Sequence, residues 1–289
     1  MPDLLLHQQT KIQLDNFLSK PAHSLLITGS AGSGKLYTAN YLAASLMGVP
    51  TEKLDSQPYY LLLQKPDTKQ EIPIDDVRQM IKKLALRTSG RKRIILIENA
   101  QLLSEEAQNA LLKNIEEPPD NTHFLLTAPA ASMILPTITS RSQKVSIKPV
   151  NLQESVEYFS KDYSQKDVLA AWNLSRGAAG LMSALLSDNS AHPLKQSIEQ
   201  AKVFIGKDKY ERAIFLDKLS SDKAAYATFL DALDRLLAAL AASAIKSDKL
   251  AQAKRLLSSR RLVGKAQDSL RVNASPRLIS LSLAQQLTI

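Results

Sequence analysis

No cysteine occurs among the 289 residues, which excludes disulfides, thiol catalysis and cysteine-built zinc sites together. A cysteine-free chain fits a reducing compartment. The four histidines are scattered with no H-x-x-x-H spacing, so no metal cluster is expected. No apolar run approaches the ~20 residues that a membrane-spanning helix requires. The stretch Met1-Pro-Asp-Leu-Leu-Leu-His7 has neither the basic start nor the cleavage site of a secretion signal. Internal repeats and low-complexity tracts are absent too. A soluble, cytoplasmic protein with no membrane association is expected.

The composition that remains, 44% hydrophobic and 22% charged, is that of an ordinary globular protein. Its length allows two or three domains of about 100–150 residues each. The net charge of +9 points to a polyanionic partner. Much of the excess lies at 246–271, where Lys246, Lys249, Lys254, Arg255, Arg260, Arg261, Lys265 and Arg271 face only Asp248 and Asp268. On helices such a run is either a solvated face or a surface beside DNA.

The richest segment is Leu25-Leu-Ile-Thr-Gly-Ser-Ala-Gly-Ser-Gly-Lys35. It fits G-x-x-x-x-G-K from Gly29 to Lys35, with a buried-strand pattern before it and a helical pattern after it. Gly29, Gly32 and Gly34 let the backbone of Ser30, Ala31 and Ser33 curl around an anion, and the next helix adds its positive end. Lys35 places a point charge on terminal phosphates. The position after it normally carries a hydroxyl for Mg²⁺, but here it is Leu36. Hydrocarbon cannot ligate a metal, so the loop is built to hold phosphate and poorly built to hydrolyse it.

The strand Arg93-Ile-Ile-Leu-Ile97 ends in Glu98-Asn99, where an active ATPase carries an acid for the metal and a carboxylate that activates water. Glu98 is one methylene longer than aspartate. Asn99 is neutral and cannot accept a proton. With Leu36, three positions needed for metal and water chemistry are altered, and very slow or absent hydrolysis is expected.

Alternation of apolar runs and amphipathic segments gives the architecture. Strands are expected at Leu25–Thr28, Tyr59–Leu63, Ile94–Ile97, Phe124–Thr127 and Lys144–Ile147, with helices at 35–47, 75–87 and 104–117. In the last helix Ser104 caps, Glu105 and Glu106 suit the positive end, and Ala107, Ala110, Leu111 and Ile115 line one face. Pro118 and Pro119 stop it. Strand patterns end after Pro149. Short helices follow to 187, with a turn at Ser175-Arg-Gly-Ala-Ala-Gly180, and everything from about 193 is helical. The longest segment, 224–245, sets Phe229, Leu233, Leu236, Leu237 and Leu240 on one stripe, as core or as packing between subunits. The class is α/β plus all-α. The expected domains are a P-loop parallel-sheet domain at 1–149, a small helical domain at 150–189 and a helical domain at 190–289.

Four segments carry a family resemblance. Ile94-Ile-Leu-Ile-Glu-Asn-Ala-Gln-Leu-Leu-Ser-Glu-Glu-Ala-Gln-Asn-Ala-Leu-Leu-Lys-Asn-Ile-Glu-Glu-Pro-Pro119 resembles the acid-motif segment of bacterial AAA+ clamp-loader subunits, down to its A-N-A-L-L-K-x-L-E-E-P-P ending. Leu135-Pro-Thr-Ile-Thr-Ser-Arg-Ser142 resembles the family's L-P-T-I-x-S-R-C, with Ser142 in place of the cysteine. Ile74-Asp-Asp-Val-Arg78 and Asn273-Ala-Ser-Pro-Arg-Leu278 are similar to shorter family elements. Motor subunits of the family carry Lys-Thr, Asp-Glu and usually a four-cysteine zinc module, none of which is here. Ala128 stands where a polar sensor is common, and Leu181 where the small domain often supplies an arginine. The departures resemble the delta-prime branch of DNA polymerase III subunits.

That resemblance implies a lid domain, a C-terminal collar domain and a place in a hetero-pentameric ring with tau/gamma-type motor and delta-type subunits. The ring loads the sliding clamp onto primed DNA. It implies that Arg141 is an arginine finger acting in trans on a neighbour's ATP. A guanidinium there stabilises charge on the transferred phosphoryl, worth about 10³–10⁵ in rate. At the chain's own loop it implies weak ATP or ADP binding, no zinc and an ill-formed Mg²⁺ site. Rival readings are an unusual active motor using Glu98 for metal, a P-loop phosphotransferase, and a DNA-binding module built on 246–271. The phosphotransferase needs an acceptor lid and an intact metal site, and neither is apparent. The DNA-binding module predicts steeply salt-dependent binding.

Overall fold

A computed structural model describes residues 4–288 other than 67, 85–87, 89, 188–191 and 273. Met1–Asp3, the end of the expected 75–87 helix, the expected boundary at 189/190 and Asn273 lie outside the described residues. The chain divides into two compact units, 1–154 and 155–289.

The first unit opens with helix α1 (Gln8–Ser19), which buries Thr10, Leu14 and Phe17. Strand β1 (Ser24–Thr28) leads through the glycine-rich loop into α2 (Lys35–Met47). After β2 (Tyr60–Leu63) come α3 (Ile74–Leu84), β3 (Arg93–Ile97) and α4 (Glu105–Glu116). Then β4 (Thr122–Ala128), the one-turn α5 (Pro136–Thr139) and β5 (Gln143–Ser146) complete the sheet. Its order is β2-β3-β4-β1-β5, and every pairing is parallel.

Side chains alternate across this sheet, so the central strands β1, β3 and β4 each feed two apolar layers. Leu26, Ile95, Ile97, Phe124 and Leu126 join Val77, Met80, Ala107 and Leu111 of α3 and α4 on one face. Leu25, Ile27, Ile94, Leu96 and Leu125 join Leu14, Phe17, Leu42 and Ala43 of α1 and α2 on the other. Burial on both faces explains why the central strands read as unbroken apolar runs. Residue Ile147, expected to end β5, lies just past it, although its N–H still donates to the Thr28 carbonyl at 2.7 Å.

The α4 helix starts as expected: Ser104 Oγ accepts from the Ala107 N–H at 3.2 Å. Its buried face is Ala107, Gln108, Leu111 and Ile115. Ala110 is only half-buried.

Helix α6 (Leu152–Phe159) carries the chain across the division, and α7 (Gln165–Ser175) and α8 (Ala179–Leu186) follow. Next come α9 (Pro193–Gly206), α10 (Lys209–Leu219), α11 (Lys223–Lys246), α12 (Leu250–Arg271) and α13 (Pro276–Gln286). The expected turn at 175–180 forms where Arg176 caps α7 in the left-handed region at φ 56°. That backbone costs a non-glycine residue about 1–2 kcal/mol. Arg176 Nη2 and Arg260 Nε offset it by clasping the two oxygens of Asp234 at 2.6 and 2.8 Å.

Phe229, Leu233, Leu236 and Leu237 are buried in the second core as expected, and Phe229 packs between Phe204 and Phe215. Leu240 departs from the expected stripe: it is 38% exposed. It shares their helical face, but this turn of α11 leaves it open to solvent.

Two substitutions separate these environments. Phe229→Ala is expected to destabilise the helical unit by about 3–5 kcal/mol, whereas Leu240→Ala costs roughly 0.5 kcal/mol. Urea unfolding followed at Trp172, the only tryptophan and a residue of this unit, measures both.

Candidate functional site

All five strands run the same way, so the carboxyl ends of β1, β3 and β4 meet along one edge, where ligands of such sheets bind. The register pairs Thr28 with Ala128 and Ile97 with Leu126. Gly29–Leu36, Glu98–Asn99 and Ala128 are thereby brought to that one edge.

The loop has the predicted backbone. Gly32 and Gly34 take φ of 77° and 88°, which L side chains rarely adopt. Gly29 is required for space: a Cβ there would lie 2.7 Å from Ser33 Oγ and 3.3 Å from Ile147. Helix α2 begins without a side-chain cap, leaving its first N–H groups to an anion. Ser33 Oγ is buried with no hydrogen-bond partner among the described residues.

Lys35 folds back onto its own loop. Its Nζ donates to the carbonyls of Gly29 at 2.8 Å and Ser30 at 3.0 Å. Burial pulls the ammonium below its usual pKa, and the charge of Glu98 partly restores it. Glu98 responds in mirror image: burial raises its carboxyl and Lys35 opposes the rise. Glu98 and Asp55 also assist burial in pushing the Tyr60 hydroxyl up to about 12, so Tyr60 stays neutral and donates to Asn40 Oδ1 at 2.9 Å.

These groups fit a phosphate better than a metal. Leu36 packs beside the β1–α2 core and offers no oxygen. Among the described residues, no group of three or more acidic or histidine side chains converges as metal ligands do. Asn99 sits at φ 53°, where its N–H donates to the Thr127 hydroxyl oxygen at 2.9 Å and its side-chain amide donates to Glu98 Oε1 at 3.4 Å. Ala128 and Leu181 are both fully buried in apolar cores, Leu181 in the helical unit. Neither position supplies a polar group.

Arg141 belongs to a separate cluster of the same unit. It follows α5 and precedes β5, and both its neighbours are tied down. Ser142 Oγ donates to the Ile138 carbonyl at 2.9 Å and meets Ser24 Oγ at 2.8 Å. Ser140 Oγ donates to the Thr137 carbonyl at 3.1 Å. The Arg141 side chain is 40% exposed, with Nε on Glu116 Oε1 at 2.8 Å. Its Nη1 donates to the Thr137 carbonyl at 3.0 Å and to Ser140 Oγ at 3.4 Å. At the other end of the turn, the Leu135 N–H donates to Gln108 Oε1 at 2.9 Å.

Ser24, Gln108, Glu116 and Thr127 escaped the sequence reading as site residues. Glu116 stood within the quoted E-E-P-P string, but no spacing rule joins it to Arg141. In the basic segment, Lys254, Arg255, Arg261 and Lys265 are exposed along α12, whereas Arg260 is engaged by Asp234.

Residues 7–151 match the family described as DNA polymerase III, delta subunit. The gamma subunit of DNA polymerase III from Buchnera aphidicola is 30% identical over 204 residues, covering 66% of this chain and 53% of that protein. The delta' subunit from Escherichia coli is 34% identical over 139 residues, 47% of this chain and 41% of its own. The chain thus spans about half the length of the curated relatives it matches. A gamma-subunit-related protein of Thermotoga maritima has a crystal structure that covers 96% of this chain and 98% of its own, at 17% identity and a TM-score of 0.48. By the match over 7–151, half of its length, the chain belongs to the DNA polymerase III, delta subunit, family, and among AAA+ clamp-loader subunits it stands close to delta-prime.

Proposed function

We propose that this chain is a delta-prime-type subunit of a clamp-loader ring that contributes to ATP hydrolysis in trans. Arg141 carries the reading: a part-exposed guanidinium on a turn fastened at both ends, in a chain whose own loop has Leu36 where a metal ligand belongs. Preorganised positive charge aimed at a developing negative charge is the largest single source of rate enhancement in sites of this type. The charge acts on a neighbour's nucleotide, so its owner needs no hydrolytic chemistry. The ring partners are tau/gamma-type motor and delta-type subunits, and the ring loads a sliding clamp on primed DNA in the cytoplasm. In this reading 150–189 is a lid and 190–289 a collar domain.

At the chain's own loop, Gly29–Lys35 would hold the phosphates of ATP or ADP weakly, and the bound nucleotide would supply charge rather than reaction. Lys35 must leave two carbonyls to reach such a ligand, and this lowers the affinity.

ATP turnover by the cognate motor and delta-type subunits, with clamp and primed DNA, tests the main reading. Arg141→Ala is expected to cut hydrolysis at the adjoining motor site by about 10³-fold or more, with ring assembly by gel filtration unchanged. Stimulation by Arg141→Ala equal to that of the unmodified chain overturns the reading. Arg141→Lys restores little, because a point charge lacks the planar fork.

The isolated chain is expected to show no ATP turnover near the roughly 1–10³ s⁻¹ of active enzymes. Its affinity for labelled ADP, read by fluorescence anisotropy, changes less than about threefold when EDTA removes Mg²⁺, since Leu36 gives the metal no ligand.

A further inference from the structure

Glu116 is placed against the electrostatics of its own helix. It is the last residue of α4, where the macrodipole is negative and a carboxylate is disfavoured. It is also part-exposed, and an ion pair so open to water contributes little to folding. The contact it makes is directional. Glu116 takes Nε of Arg141, while the Thr137 carbonyl and Ser140 Oγ take Nη1. Two ends of a planar guanidinium are thus fixed, and among the described residues nothing bonds the third, Nη2. A free arginine samples many rotamers; this one is held in a plane with one edge left for a ligand.

We infer that Glu116 is a positioning residue, which fixes the Arg141 guanidinium so that its Nη2 edge is presented to the neighbouring subunit's phosphates. The inference rests on the finger reading of Arg141 and adds to it the residue that aims the finger. The helix that carries Glu116 is coupled to the turn at its other end as well. Gln108 of the same helix accepts from the Leu135 N–H and donates to the Leu103 carbonyl at 3.2 Å. The turn is therefore registered on α4 at entry by Gln108 and at exit by Glu116. Glu117, the next residue, is exposed and carries the same charge but makes no ion pair with Arg141.

The test uses the full chain in the assembled ring, with ATP turnover measured at varied ATP. Glu116→Ala is expected to lower kcat on the order of tenfold, since small misplacement of a reacting group is costly. KM stays within twofold, because Glu116 does not touch the nucleotide. Glu116→Gln, which can still accept from Nε, retains more activity than Glu116→Ala. Glu117→Ala leaves turnover unchanged, and adding Glu116→Ala to Arg141→Ala causes no further loss.

Circular dichroism and ring assembly of each variant exclude misfolding. If Arg141→Ala abolishes stimulation but Glu116→Ala does not change it, the positioning role is overturned while the finger stands. A rise in turnover with Glu116→Ala also overturns it, since the glutamate then restrains the arginine. Equal losses from Glu116→Ala and Glu117→Ala overturn it in favour of bulk charge. If Arg141→Ala has no effect, the finger reading itself has failed.

Discussion

The parallel register of β1, β3 and β4 is the constraint on which the rest of the first unit depends. Residues on each strand alternate between two apolar layers, so a slip of one position would turn Leu26, Ile95 and Leu126 to the wrong face. Because that register is locked, Gly29, Glu98 and Ala128 follow their strands onto one edge. The same lock fixes the start of β5, whose Gln143 pairs with Leu25, and hence the turn that carries Arg141. The two candidate regions of this unit derive their geometry from a single pattern of buried Leu, Ile and Phe.

The electrostatics of those two regions differ in kind. Around Lys35 the charges are partly buried, and burial dominates the shifts of both Lys35 and Glu98, each relieved by the other. The lysine satisfies its donors on carbonyls of its own loop, which leaves the glycine-rich turn partly self-occupied. Around Arg141 the charges are open to water, so geometry rather than charge strength is what the fold supplies. A guanidinium on a flexible loop would have the same charge and far less use, because orientation is a large share of what a positioned group contributes.

Much of this was legible from residue order. The phosphate loop, the altered pair Glu98–Asn99 and the Ser-Arg-Ser turn are contiguous strings with local chemical meaning. Strand and helix positions followed from periodicity, within a residue or two at most ends. The first helix was within reach too, since Thr10, Leu14 and Phe17 sit at helical spacing, but α1 was not expected. What stayed hidden are contacts between distant positions. Ser24 meets Ser142 across 118 residues, and the Asn99 N–H donates to Thr127 across 28. Such pairs have no period and no motif. Leu240 misled for a related reason: a stripe shows which face is apolar but not how far along the helix that face is covered.

The hydroxyl pair Ser24–Ser142 has a consequence of another kind. Where the motif that this segment resembles has a cysteine, this turn is closed by two hydroxyl oxygens, and the rest of the chain has no cysteine either. The turn beneath Arg141 therefore offers no thiol chemistry: no sulfenic acid, mixed disulfide or alkylated thiol can form there. Oxidation of this chain falls instead to its five methionines, of which Met133, just ahead of the turn, is 51% exposed. For spectroscopy the same property is an opening. Any single cysteine introduced into this chain is its sole thiol, so a probe reports from one known place against no background.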